Sequence, residues 1–192
     1  MGDILKSAQA YEKLLDIEYQ FILGRKNKNI TLTVTFDAMN FFHLAGLHYL
    51  TDRTTLLFGD RAKLFNLILD EKIKKSQISS SSFYPQIKDR VEYLEFLEPI
   101  MDSNNTIFKY NPQTQAFSVI ESEFFLKNEV NSRNVFAFLS QDKSTDTYFC
   151  RSFFPQTDKD YSIGQTNWTL LYKKKIHKST KIETVLYDKM KK

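Results

Sequence analysis

The sequence predicts an α+β fold, with helices concentrated in the first half of the chain and strands in the second. Three observations predict it. Apolar residues recur at helical spacing in several segments up to about Met101. From Ser103 onward, Gly, Asn, Pro and Asp cut the chain into short aromatic and β-branched runs of strand character. No regular strand–helix–strand alternation connects the two halves. The 192 residues are long enough for one substantial core and nothing forces a second, so a single domain (1–192) is expected. Its core would span about 3–176, with a basic C-terminal extension from 177 to 192. With 17 Phe and 10 Tyr, that core should be rich in aromatics.

In chain order, Asp3 to about Leu23 carries Ile4, Ala8, Tyr11, Leu15 and Ile22 at helical spacing and reads as one long amphipathic helix. GRKNKN turns the chain, and Ile30 to Phe36 alternates Leu32, Val34 and Phe36 against three threonines, as a strand does. The densest apolar run follows, FDAMNFFHLAGLHYL from Phe36 to Leu50. It reads as a helix with Asp37 as N-cap and Gly46 its one helix-weakening residue, where another backbone could approach closely. TDRTTLLFGD reads as a loop, Arg61 to Ile73 as a helix, and SQISSSSF as an ordered serine-rich loop. Ile87 to about Met101 is again helical, with Arg90 and Tyr93 at the edge of its apolar stripe. Strands are expected at Thr106 to Tyr110, Phe117 to Ile120, Asn134 to Ser140, Thr147 to Phe154 and Asn167 to Ile176.

Composition excludes several classes. One cysteine, Cys150, rules out an internal disulfide and fits a reducing, cytoplasmic compartment. No apolar run approaches the length of a membrane span, and MGDILKSAQAYEK lacks a signal peptide's apolar region. Dinucleotide, P-loop, nucleophile-elbow, metalloprotease and paired-cysteine signatures are missing, so neither a cofactor nor a metal is expected. The net charge of +4 is uneven: Trp168 to Lys192 holds eight Lys against one Glu and one Asp, which is +6, and leaves −2 for the rest. A basic end can guide a polyanion such as RNA. The last five residues, DKMKK, read as a solvated tail, whereas Lys173, Lys174 and Lys175 fall inside a strand-like run.

Two of the three histidines, His43 and His48, lie in the central apolar run. On an ideal helix, five residues rotate them about 140° apart, so at most one would reach a small site. The other dense stretch is RSFFPQTDKDYSIGQ, from Arg151 to Gln165. In a regular strand Arg151 and Ser152 face opposite sides, and only a bulge would bring both to one site. His177, among the tail lysines, reads as solvated.

Taken together, HLAGLHYL after a strand, SSFYPQIKDRVEYLEFLE at a helix entry and CRSFFPQTDKDYSIGQ before a lysine-rich strand resemble the phage and mobile-element nucleases of the BECR type. That group unites barnase, EndoU, the tRNA-cutting colicins and RelE-like toxins. The resemblance is to the fourth of the phage groups and runs from about Tyr11 to Lys175. It implies helices packed on one face of a small antiparallel sheet, metal-independent endoribonuclease activity, and a phage, plasmid or toxin context. The implied partners are RNA and an antitoxin or host protein, without a membrane.

Such cleavage needs a base for the 2′-hydroxyl, an acid for the leaving 5′-oxygen, and a cation for the developing charge. His43 is the first candidate for proton transfer, with His48 as alternative, since imidazole titrates near neutrality. Arg151 and then Arg90 are candidate cations. Ser152 could hydrogen-bond a phosphate, Tyr161 could stack on a base or donate a proton, and Lys173 and Lys175 are candidate RNA contacts. Barnase-like enzymes pair a glutamate with a late histidine; here no histidine precedes His177 in the late strands, so the helical half must supply it. A non-catalytic mobile-element protein that binds RNA or a host protein stays open beside the nuclease; buried histidines and an exposed aromatic patch would mark it.

Overall fold

The computed structural model describes residues 3–103, 106–115 and 118–191. Its frame is a closed seven-stranded β-barrel. This corrects the expectation of helices on one face of a small antiparallel sheet. The chain begins with helix α1 (Ile4–Leu14), whose first turn is capped by the Asp3 carboxylate accepting from the Leu5 amide. The expected long helix ends there, and strand β1 (Ile17–Arg25) follows. The reason is periodicity: Ile17, Tyr19, Phe21 and Leu23 alternate with Glu18, Gln20 and Ile22, and the first set is buried. A run rich in β-branched and aromatic side chains gains more as a half-buried strand than as a fourth helical turn.

Strand β2 (Lys28–Thr35) returns antiparallel to β1. The hairpin turns on Lys26 and Asn27, both at positive φ, 46° and 62°, as a two-residue turn of matching twist requires. Next come a single 3-10 turn (Ala38–Asn40), α2 (Phe41–Leu44) and a second 3-10 turn (Leu47–Tyr49). Four more helices follow: α3 (Thr54–Leu57), α4 (Arg61–Leu69), α5 (Lys75–Ser79) and α6 (Tyr84–Leu94). Thus TDRTTLLFGD and the serine-rich stretch, expected as loops, each contain a short helix. The helix expected to reach Met101 breaks at Glu95–Phe96 and resumes as α7 (Leu97–Asp102).

The remaining strands are β3 (Thr106–Lys109), β4 (Phe124–Val130), β5 (Arg133–Asp142), β6 (Thr147–Pro155), β7 (Thr166–His177) and β8 (Glu183–Asp188). Phe117 lies outside the described residues, and Ser118–Ile120, expected as strand, has no regular structure. Around the barrel the order is β1-β2-β6-β5-β4-β3-β7, with β7 pairing back to β1 from Thr169 to His177. The β2–β6 contact is parallel and the rest are antiparallel. Closure removes the sheet edges that a small open sheet would expose. β8 lies along β7 outside this ring, so part of the segment expected as a basic extension is an ordered strand.

Alternation divides the packing. Val135, Ala137 and Leu139 of β5 join the main core with the helices, while Phe136 and Phe138 on the opposite face join Phe125 and Tyr110 in a second aromatic cluster. Phe154 and Tyr161 pack against that second cluster. The candidate site opens beside it.

Candidate active site

Gly46 makes the site possible. It stands at φ +77°, which ends α2 in a left-handed residue before the chain resumes as a 3-10 turn. A Cβ there would lie 2.9 Å from Ile87 Cγ2 and 3.0 Å from Arg90 Cδ, so the missing side chain also admits α6. Because the helix breaks, the rotation expected between the two histidines does not apply. The rings of His43 and His48 meet, with centroids 4.9 Å apart, and both line one cleft of about 380 Å³. This corrects the expectation that at most one could reach a small site.

A second local irregularity brings the opposite wall. In the β5–β6 pairing, Phe138 faces Ser152 and Leu139 faces Cys150, so Arg151 is the extra residue of a β-bulge. The bulge lets both Arg151 and Ser152 line the cleft, which a regular strand would forbid. Arg90 enters from α6. Its guanidinium lies 4.9 Å from the Phe154 ring centre and 5.3 Å from that of Tyr49, and Nη1 donates to the Phe153 carbonyl at 3.4 Å. Arg61, at the first position of α4, completes the ring of cations. Among the described residues Arg151 makes one ion pair, with Glu121 at 3.1 Å. Both partners are well exposed, so the pair costs little to open.

The cleft holds three arginines, two imidazoles and the Ser152 hydroxyl, and none of the described residues that line it is an acid. That composition suits an anion. Burial, and then the charges of Arg61 and Arg151, push the His43 pKa below the usual histidine value. Burial, then His43, Arg90 and Arg61, take His48 down to about 4. Both are therefore neutral at pH 7 without a ligand. The Nδ1 of His48 has no hydrogen-bond partner among the described residues. An incoming phosphate would offset the arginine charge and raise both histidines, preparing one of them to give up a proton. Burial pushes the Cys150 thiol up to about 12, so this lining residue is not a thiolate. No group of three or more His, Cys, Asp or Glu is placed to hold a metal ion among the described residues.

The other candidates separate. Tyr161 lines an adjoining cleft of about 560 Å³, which shares His48, Tyr49, Arg90, Arg151 and Ser152 with the first. Lys173 is buried, with Nζ donating to the Met101 carbonyl at 2.8 Å and to the Ser103 carbonyl. Lys175 pairs with Glu98 at 2.7 Å and Asp102 at 3.0 Å. Neither lysine lines these two clefts. His177 stands at the end of β7, where its amide donates to the Ile182 carbonyl. The sequence reading missed Arg61, Asn40 and Tyr49, all lining the first cleft. For Arg61 a signal existed: it begins a helix with Leu64 and Phe65 three and four residues on, so no helical ion pair explains it.

The family model described as phage-Barnase-EndoU-ColicinE5/D-RelE like nuclease 4 (PBECR4) matches residues 3–190. The chain belongs to that family. PBECR4 is thus a phage-type nuclease family whose matched span takes in the whole barrel and every wall of the cleft. No match was found among curated proteins or among solved structures. No helix among the described residues is long and apolar enough to cross a membrane.

Proposed function

We propose that this PBECR4 chain is an endoribonuclease that cleaves by attack of the 2′-hydroxyl on the adjacent phosphorus, without a metal ion. The observation that carries the proposal is the pair of imidazoles 4.9 Å apart in a cleft walled by Arg61, Arg90 and Arg151. Two histidines side by side can take one proton and give another, which in-line attack with departure of the 5′-oxygen requires. His48, the more deeply buried and the more strongly depressed, takes the 2′-hydroxyl proton. His43 gains its proton when phosphate compensates the arginines and hands it to the leaving oxygen. Arg90 has no carboxylate partner among the described residues, while Arg151 can leave Glu121; both are available to the extra charge on phosphorus. Ser152 holds a non-bridging oxygen from the bulge.

Both histidines are half-buried and line an open cleft, which supports the catalytic reading over a binder with its histidines in the core. Product chemistry tests the proposal. A labelled RNA should yield 2′,3′-cyclic phosphate and 5′-hydroxyl ends, and a single 2′-deoxy substitution at the cut nucleotide should abolish the cut. Products with 5′-phosphate ends, or cleavage that ignores the 2′-deoxy substitution, would overturn the mechanism.

A further inference from the structure

The cleft of about 560 Å³ shares His48, Tyr49, Arg90, Arg151 and Ser152 with the first, while its outer part, from Tyr161 to Val119, is not used by the chemistry above. Its size falls within the roughly 300–1,000 Å³ of pockets that enclose small ligands. Aromatic and aliphatic walls dominate one side. Tyr161 rests edge-on against Phe154 at 5.4 Å, and Tyr49 lies at the junction, its ring 4.1 Å from that of His48. Phe154 itself is covered, stacked on Phe138 at 5.6 Å with the Arg90 guanidinium on it at 4.9 Å, so it forms a floor. Val119 is 93% exposed on the rim, an aliphatic side chain held in water where a ligand would cover it. Gln86, Ser118 and Thr157 supply hydrogen-bonding groups around this apolar wall.

We infer that this second cleft is a nucleoside subsite, and that the substrate is RNA cut beside an unpaired nucleotide whose base packs against Tyr49, Tyr161 and Val119. The inference rests on the ribonuclease reading above and adds to it the state of the substrate. The phosphate lies at the junction, on Arg90 and Arg151, and the base points away from His43, past His48 and Tyr49, toward Tyr161 and Val119. In a duplex the base faces are covered by their neighbours and cannot enter an aromatic-walled pocket. Packing on aromatic side chains is tolerant of base identity, because every base has a π face. The site therefore selects unpaired loops and ends more than a particular sequence.

The test compares three labelled RNAs around one mapped cut site: the unpaired loop, the same sequence held in a duplex, and the loop with a single abasic nucleotide on either side of the cut. The expected result is cleavage of the loop, at least about tenfold slower cleavage of the duplex, and a KM raised about tenfold by an abasic nucleotide on one side only. Loop and duplex cut alike, with neither abasic position mattering, would overturn the subsite while leaving the nuclease mechanism standing. Should no RNA be cut, the mechanism fails, and anisotropy with a 2′-deoxy loop decides the subsite separately. Val119→Asp, on the exposed rim, and Tyr161→Leu should then each weaken binding about tenfold, with Tyr161→Phe close to wild type. Unchanged affinity in Val119→Asp and Tyr161→Leu would overturn it.

Discussion

Gly46→Ala is the substitution from which the geometry of the site predicts most. The residue stands at φ +77°, where an L side chain costs about 1–2 kcal/mol. The new methyl group would sit 2.9 Å from Ile87 Cγ2 and 3.0 Å from Arg90 Cδ. Relief must come from Ile87, which is fully buried, or from movement of α6, and such overpacking costs about 1–3 kcal/mol. The lower entropy of alanine in the unfolded chain offsets about 0.4–1 kcal/mol of this. The net loss of roughly 1–4.6 kcal/mol should lower Tm by about 2–18 °C in a domain of this size. Activity should fall further than stability does, because a shift of α6 moves Arg90, and a straightened α2 would swing His48 away from His43. Thermal unfolding and RNA cleavage below the transition measure the two effects. An alanine variant with wild-type Tm and wild-type cleavage would refute the claim that the break at Gly46 assembles the site.

Other perturbations separate the roles. Acid should destabilise the protein through the histidines: His48 is held at about 4 in the folded state against about 6.5 unfolded, so the unfolded chain binds the extra proton. Its stabilising contribution is full above pH 6.5 and is lost toward pH 4. His48→Gln should flatten Tm against pH in that window; an unchanged slope would mean the imidazole is not desolvated. Arg90→Met should keep the fold, since Arg90 has no carboxylate partner among the described residues, while cleavage drops about 10²-fold; activity within threefold of wild type would remove Arg90 from the mechanism. Lys173→Met should change Tm but leave the KM for RNA unaltered, as expected of an amine bound to the Met101 carbonyl, and a raised KM would restore it to the RNA surface. Iodoacetamide at pH 7 should leave activity intact, because the Cys150 thiol is buried and pushed up to about 12; rapid inactivation would contradict that burial.

How far these features can be read from sequence depends on the range of the interactions behind them. The Asp37 cap, the turn after β1 and the β5, β6 and β7 strands rest on neighbours a few residues apart, and local pattern exposes them. Barrel closure does not, because it joins Ile17–Gly24 to Thr169–His177 across nearly the whole chain. With that pairing invisible to local pattern, β1 reads as the end of a helix whose spacing its apolar residues partly satisfy. The site was half legible. His43, His48, Arg90, Arg151 and Ser152 could be singled out as chemistry-bearing types, and the structure brings all five to one cleft. Their convergence depends on two irregularities, the left-handed residue at Gly46 and the extra residue at Arg151, which periodic reasoning treats as exceptions. For Lys173 and Lys175 the sequence does not show the setting, because a lysine run looks the same whether it meets solvent or, as here, backbone carbonyls and the carboxylates of α7.

The central claim is that two histidines perform metal-independent RNA cleavage. Its most direct test is cleavage of labelled total RNA in EDTA by wild type, His43→Ala and His48→Ala, with each variant's fold checked by thermal unfolding. The account predicts cleavage by wild type that EDTA does not diminish, and at least a 10²-fold loss in each folded variant. Loss of wild-type activity in EDTA, or full activity in either histidine variant, would contradict it.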